Sequence, residues 1–312
     1  MGETPAMIEI EQAKKALSMG QVVAIPTETV YGLAADARNQ DAVAEIYRLK
    51  GRPSKHPVIV HFSDWESALS WAVDVPPWAI ELAQKLWPGP LTLVCRRQPW
   101  VGDWLTGGQE TVGLRVPNHP LTLELLRQFG SGVAAPSANR FGRVSPTTAQ
   151  HVRDEFGPEL LILDGGPCQV GIESTIVDAT SERPRILRPG HIRLDNPSPN
   201  LRTDNIMPVV PGSLSSHYAP SVPCRLWKGQ PIENGALILF GQQPPPDLSP
   251  EVQICDLGSD SEIAGAALYD SLRRYELSAQ RLWIHLPPPG PQWEGIRDRV
   301  RRATFASDHP EK

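Results

Sequence analysis

Cysteine is scarce and scattered. Its four copies, Cys95, Cys168, Cys224 and Cys255, contain no Cys-x-x-Cys pair, so neither a zinc cluster nor a disulfide framework is expected, and buried thiols are the default. The usual nucleotide fingerprints are missing as well: there is no G-x-x-x-x-G-K-[ST] and no G-x-G-x-x-G. Nor is there a G-x-S-x-G elbow, or a His/Cys set at metal-ligand spacing, and metal ligands stay unassigned. Any chemistry on phosphates must then be done by side chains brought together from several strand ends. No apolar run reaches transmembrane length, and the opening Met-Gly-Glu-Thr-Pro-Ala lacks a basic region followed by an apolar one. Ala6 stands where a myristoylation signal needs Ser or Thr. A cytoplasmic protein with no membrane partner is the expectation. Positive charge is in deficit, with 30 Lys and Arg against 35 Asp and Glu and a net charge of -5. That balance argues against a protein that coats nucleic acid, and no internal repeat is visible.

What is present is ordinary in bulk and unusual in one place. The 312 residues are 40% hydrophobic and 21% charged, a globular composition long enough for two cores. From Arg48 to His61 there are four formal positive charges, two histidines and no acid. Gly51 and Pro53 stop the preceding helical pattern and Pro57 opens the apolar run Val58-Ile59-Val60, so this basic stretch falls on a loop between a helix and a buried strand. It reads as an anion site in an acidic chain, against the alternative of a solvated basic turn.

Strands alternate with helices along the chain. Helices are expected over Glu9 to Met19, from a cap at Asp41 to Lys50, after the capping box at Ser63 to Glu66, over Trp78 to Leu86 and over Leu121 to Phe129. Ser145-Pro146 reads as a cap and first helical residue. Strands are expected at Val22 to Ile25, Leu91 to Val94, Thr111 to Val116 and Leu160 to Leu163. The polar groups of Pro26-Thr27-Glu28-Thr29 follow a buried strand, where open α/β sheets tend to hold ligands, although a capped turn explains them equally well. Arg115 either snorkels out of its strand or points its planar fork at a carboxylate or phosphate. Glu28 and Asp178 either touch a metal or cap turns. Prolines accumulate from Asp195 to Pro223, the mark of a linker, and within it lies His217-Tyr218. Further strands at Ala236 to Phe240, Val252 to Cys255 and Leu282 to His285, with helices over Ser261 to Tyr275 and Trp293 to Arg302, suggest a second, smaller parallel α/β unit.

Pro-Thr-Glu-Thr-Val-Tyr-Gly-Leu, Lys-Gly-Arg-Pro with His61 beyond it, Trp-Pro-Gly-Pro-Leu-Thr, Gly-Leu-Arg-Val-Pro, Ala-Pro-Ser-Ala-Asn, Glu-Ser-Thr-Ile-Val-Asp and Leu-Arg-Pro-Gly occur in that order. Together they resemble the YrdC-like threonylcarbamoyl-AMP synthases over about residues 8 to 195. His-Tyr-Ala-Pro and the tail resemble the family's long form, with a linker and a C-terminal Rossmann-like domain. The resemblance implies an α/β fold with a twisted mixed sheet over 1–195, a proline-rich linker or lid over 196–222, and a smaller α/β domain over 223–312. It implies that L-threonine, bicarbonate and ATP, with Mg2+, give L-threonylcarbamoyladenylate and pyrophosphate, which a separate tRNA threonylcarbamoyl transferase consumes. By position, Thr29, His61, Arg115, Ala135 and Ser174 would face threonine. Lys50, Arg52, His56, Thr111, Ser137, Asn139, Arg188 and Tyr218 would face ATP, with Lys50 and Arg52 acting in catalysis; many relatives carry asparagine at the position of His56. The rival readings are an RNA-binding module gripping a backbone through the basic loop and the Arg297 to Arg302 helix, and an adenylate-forming enzyme for another amino acid.

Overall fold

The structure is a computed structural model describing residues 5–194 and 208–308. Its larger part is a mixed sheet built from many short strands. From one edge to the other these are Arg185–Arg188, Thr175–Asp178, Leu91–Arg97, Thr111–Arg115, Ile59–His61, Val133–Ala134, Gly32–Asp36, Val23–Ile25 and Leu161–Ile162, with Ala72–Val73 paired to Leu91–Arg97. Ile59–His61 runs parallel to Thr111–Arg115 in a register that sets His61 opposite Arg115. Leu91–Arg97 runs parallel to Thr175–Asp178. Parallel neighbours end on the same side, so polar residues distant in sequence collect there.

Helices cover this sheet. Ile10, Ala13 and Leu17 of Pro5–Ser18 pack with Leu125 and Leu126 of Pro120–Phe129. Gln40–Lys50 buries Val43 and Ile46, and it is capped by Asn39, whose side chain accepts the Ala42 N–H, rather than by the expected Asp41. Asn39 wins because it stands one residue before the first helical turn, where a side-chain oxygen reaches the free N–H groups. The helix stops at Gly51, which is left-handed at φ 61° and delivers Lys50 into the sheet's polar edge. The box at Asp64 caps Trp65–Leu69 as expected. Ser145-Pro146 starts no helix: the next one is Ala149–Phe156 with Thr148 as cap, and the Ser145 hydroxyl instead donates to Glu173.

The second sheet has four parallel strands in the order Cys224–Trp227, Leu282–His285, Gly235–Leu239, Val252–Asp256. Helices Ser261–Ser278 and Glu294–Asp308 accompany it. One apolar cluster contains Ile238 and Leu268 from this part together with Val30, Val144 and Ile172 from the first, so the two share a core. Residues 195–207 of the expected linker lie outside the described residues. The remainder, residues 208–222, contains no helix or strand and lies across the polar edge of the large sheet. Among the described residues, no helix is long and apolar enough to cross a membrane. All four thiols are free, and burial pushes Cys95 and Cys168 each up to about 12, so neither is a thiolate at neutral pH.

Candidate active site

The polar edge encloses a cavity of about 50 Å³. Its walls come from several strand ends and the loops beside them: Thr27 and Val30, Arg52, His61, Arg115, Ala135 to Ser137, Glu173 and Ser174, and Arg188. The roof is the irregular segment, through Pro211, Gly212, His217 and Tyr218. The void holds a few waters at about 10–15 Å³ each, not a nucleotide.

Two cationic groups divide it. On one side the Arg115 guanidinium meets the Glu28 carboxylate at 2.8 Å, and both side chains are almost fully buried. Arg115 Nη2 also donates to Thr29 Oγ1 at 3.0 Å. Thr27 Oγ1 bonds the Val30 carbonyl and accepts the Thr29 and Val30 N–H groups, so Thr27 caps the turn while Thr29 faces the arginine. His61 lies beside Arg115, and burial with that neighbouring charge pushes its imidazole down to about 3, so it is neutral at pH 7.

On the other side stand Lys50, Arg52 and Arg188, and none has a carboxylate within ion-pair distance among the described residues. Lys50 Nζ donates to the carbonyls of Ser137 and Asn139 at 2.5 and 2.6 Å, fixing the loop after Val133–Ala134. Burial, reinforced by the charge of Arg52, pulls the lysine well below its ordinary range. Arg52 spends one bond on the Pro57 carbonyl and lies 5.7 Å from the centre of the Phe141 ring. His56 packs on the same ring at 5.3 Å, only partly buried. Arg188 donates to the Ser174 carbonyl and hydroxyl and, through Nη1, to the carbonyl of Pro211 in the roof. Ser174 Oγ is also 2.7 Å from Thr92 Oγ1.

Buried polar atoms are normally paired. Here Arg52 Nε, His61 Nδ1, Arg115 Nε, Asn139 Oδ1, His217 Nδ1 and Tyr218 OH all lack partners, and all lie in or beside one cavity. Each such atom costs about 1–3 kcal/mol unless something binds it. The basic groups add to this: Arg52 and Arg188 line the cavity and Lys50 binds its edge, with Glu173 as the carboxylate on the same wall.

Of the residues named from the sequence, Arg52, His61, Arg115, Ala135, Ser137, Ser174, Arg188 and Tyr218 line the cavity. Thr29, Lys50 and Asn139 touch it through their bonds to Arg115 and Ser137 or through the shared loop. Thr111 does not line it. It lines a neighbouring crevice with Gln109, Val209 and Val210, because it stands at the other end of the strand Thr111–Arg115, about 13 Å from Arg115 on the same face. Asp178 is also elsewhere, paired with Arg185 and bonded by Thr180. Sequence reasoning missed Glu173, whose carboxylate lies on the wall and is held by Arg299, Tyr269 and Ser145. Burial alone would raise its pKa, but the charges of Arg299 and Arg188 outweigh that and bring it down to about 2. A carboxylate beside Ser174 in Glu-Ser-Thr was the one available signal.

Fold and cavity together define an α/β protein with an arginine-lined polar cavity under a peptide roof. Comparison with known proteins narrows that class. A family model described as "Telomere recombination" matches residues 15–190, and one described as "Threonylcarbamoyl-AMP synthase, C-terminal domain" matches residues 185–304. The threonylcarbamoyl-AMP synthase of Bacillus subtilis is 38% identical over 292 residues, which is 86% of this chain and 84% of that one. The one from Pyrococcus abyssi is 42% identical over 213 residues, 65% of this chain and 63% of its own length. The crystal structure of P. abyssi Sua5 complexed with L-threonine superposes with a TM-score of 0.83 at 31% identity, covering 96% of this chain and 94% of that one. The chain belongs to the Sua5 family of threonylcarbamoyl-AMP synthases, in its long form.

Proposed function

We propose that the cavity is where this chain joins L-threonine, bicarbonate and ATP into L-threonylcarbamoyladenylate, releasing pyrophosphate. The observation that carries this reading is the convergence of Arg52 and Arg188 on the cavity, with Lys50 bound to the adjoining Ser137 loop and none of the three in an ion pair among the described residues, beside Arg115, which holds Glu28 and the hydroxyl of Thr29. In the reaction the threonine amine takes up the carbon of bicarbonate with loss of water. The resulting carbamate oxygen then forms a bond to the α-phosphorus of ATP as the bond to the β-phosphate oxygen breaks. Negative charge grows on the phosphoryl oxygens and on the departing pyrophosphate, and cations fixed beforehand stabilise it without reorganising. Arg115 presents its fork to the threonine carboxylate, with Thr29 and Ser174 offering hydroxyls to the substrate's polar groups. No covalent nucleophile is required, since positioning an unstable carbamate and excluding water supply most of the rate.

The described residues do not form a seat for magnesium. The two carboxylates at the cavity, Glu28 and Glu173, are taken by arginines, and no group of three His, Cys, Asp or Glu is arranged for a metal. Magnesium is therefore proposed only as a companion of the ATP phosphates. The product would pass to a tRNA threonylcarbamoyl transferase in the cytosol. The same reading divides the chain into a catalytic part over 1–195, a linker over 196–222 and a C-terminal domain over 223–312.

The assay is pyrophosphate release from ATP. It is expected to need threonine and bicarbonate together and to fall by about 10-fold or more with serine, which lacks one methyl, a difference worth about 1–3 kcal/mol in a fitted pocket. Release without threonine, or equal rates with several amino acids, would favour another adenylate-forming activity. The RNA-binding alternative has little support, because the arginines of the last helix are mostly engaged: Arg297 with Pro287, Arg299 with Glu173, Arg302 with Asp298.

Residues 208–222 are read as the lid. Arg188 holds the Pro211 carbonyl at 3.0 Å, and Gly212, at φ 76°, lies so close to Tyr218 that a Cβ there would be 2.2 Å from its hydroxyl. Tyr218 itself is left-handed at φ 60°, a conformation rare for a residue with a side chain. Admitting ATP requires this packing to open. Tyr218→Ala is expected to weaken ATP binding by about 10-fold or more, the scale of one hydrogen bond to a charged group. Unchanged ATP affinity and turnover would remove the lid from the account.

A further inference from the structure

We infer that Arg299, on the helix Glu294–Asp308 of the C-terminal half, is a positioning residue for the chemistry in the N-terminal cavity. The inference rests on the reading of the cavity given above. Arg299 is completely buried, and its donors reach two segments far apart in sequence. Nε bonds the Glu173 carboxylate at 2.7 Å and Nη2 the Glu173 carbonyl at 3.2 Å. Nη1 bonds the Pro189 carbonyl at 2.8 Å and the side chain of Asp298 at 2.9 Å.

The identity of those segments is what matters. Glu173 immediately precedes Ser174 and Pro189 immediately follows Arg188, and Ser174 and Arg188 are themselves bonded to each other across the cavity wall. One guanidinium therefore brackets the pair from outside. Its carbon also lies 5.2 Å from the centre of the Tyr218 ring in the roof, which in turn stacks on Tyr269. Threonine side, phosphate side and lid thus share a single anchor supplied by the other half of the chain.

Arg299 has an electrostatic role too. Glu173 lines the cavity, and an unpaired carboxylate there would repel the triphosphate that Arg52 and Arg188 attract. The groups facing it are Arg299 and Tyr269 from the C-terminal half, Ser145 and Arg188 from the N-terminal half, with Lys50 and the roof's His217 and Tyr218 nearby. Arg299 gives the closest cationic contact, and it supplies the neutralisation without occupying the substrate space.

A plain clamp between the two halves would make the same bonds, so the test separates stability from kinetics. Arg299→Met, Arg299→Lys and the double variant Arg299→Met/Glu173→Gln are compared with wild type in the full chain. Thermal midpoints are followed by circular dichroism, and kinetics are measured well below every midpoint. Arg299→Met is expected to raise the KM for ATP and to lower kcat by about 100-fold, the scale of a displacement near 1 Å at reacting groups. The double variant is expected to recover the KM for ATP, because the bare carboxylate is gone, but not kcat, because the carbonyls of Glu173 and Pro189 are still unheld. If Arg299→Met does not fold, Arg299→Lys decides: it keeps the charge and loses the planar fork, so a near-normal KM with kcat lowered by about 10-fold is expected. Folded variants with lower midpoints but wild-type kcat and KM would reduce Arg299 to a clamp and overturn the inference. Failure of the wild-type chain to release pyrophosphate with threonine and bicarbonate would instead overturn the proposed function.

Discussion

Alanine in place of Arg52 is expected to lower kcat for threonine-dependent pyrophosphate release by about 100- to 1000-fold, the loss typical of one fixed donor to a developing charge. The thermal midpoint should stay level or rise. Arg52 is only 8% exposed, makes one bond to the Pro57 carbonyl, leaves Nε unpaired and has Arg188 for an electrostatic neighbour. Burial pulls its pKa down to about 10, so the fold holds the charged form at a cost. Removing that charge is expected to relieve the fold and, on the proposed reading, to remove one of the three basic groups offered to the developing charge. Such an inverse relation between stability and activity distinguishes a catalytic cation from a structural one. Steady-state kinetics and a melting curve on the same preparation check both halves. Normal turnover would refute the role of Arg52, whatever the melting curve does.

Arg115→Met should fail in the opposite manner. Arg115 and Glu28 are buried together at 2.8 Å, and the Asn118 N–H holds the other Glu28 oxygen at 3.0 Å. Breaking the pair leaves Glu28 uncompensated, a loss of about 3–5 kcal/mol on the scale of buried ion pairs with one partner removed. The KM for threonine should rise by about 100-fold or more, because a carboxylate then enters a cavity that has lost its fork. ATP binding should change far less, since Lys50, Arg52 and Arg188 remain. Adding Glu28→Gln to the variant should restore much of the stability and none of the threonine affinity. Denaturant unfolding and calorimetric titration with each substrate read these effects separately. Recovery of threonine binding in the double variant would show that Arg115 acts only through Glu28.

Much of the site was legible because its residues stand at strand termini in recognisable short motifs. His61, Arg115 and Arg188 each end a strand and Ser174 immediately precedes one; parallel pairing sets His61 beside Arg115, and the antiparallel pair of the large sheet's last two strands brings Arg188 back to Ser174. Glu173 could not be read in the same way. Its partner Arg299 lies 126 residues later, and nothing local in either segment announces the other. Ser145 was misread for a related reason: Ser-Pro normally opens a helix, but here the hydroxyl is drawn to the Glu173 carboxylate and the helix begins four residues later at Ala149. In the fold, the strand Gly32–Asp36 was missed because small residues buried on both faces show no alternation. Cys224–Trp227 was missed because it follows directly on a run of prolines that reads as linker. Periodicity reports amphipathic elements, so strands that are short, fully buried or flanked by breakers leave little trace.

The central claim is that one cavity holds the triphosphate beside the amino acid, under a roof that closes over both. It is tested most directly by a crystal structure of the wild-type chain with L-threonine and a non-hydrolysable ATP analogue. The phosphates are expected against Lys50, Arg52 and Arg188, the threonine carboxylate on Arg115, and residues 208–222 displaced or rearranged around the nucleotide. Threonine and nucleotide bound in separate places, or phosphates seated away from Arg52 and Arg188, would contradict it.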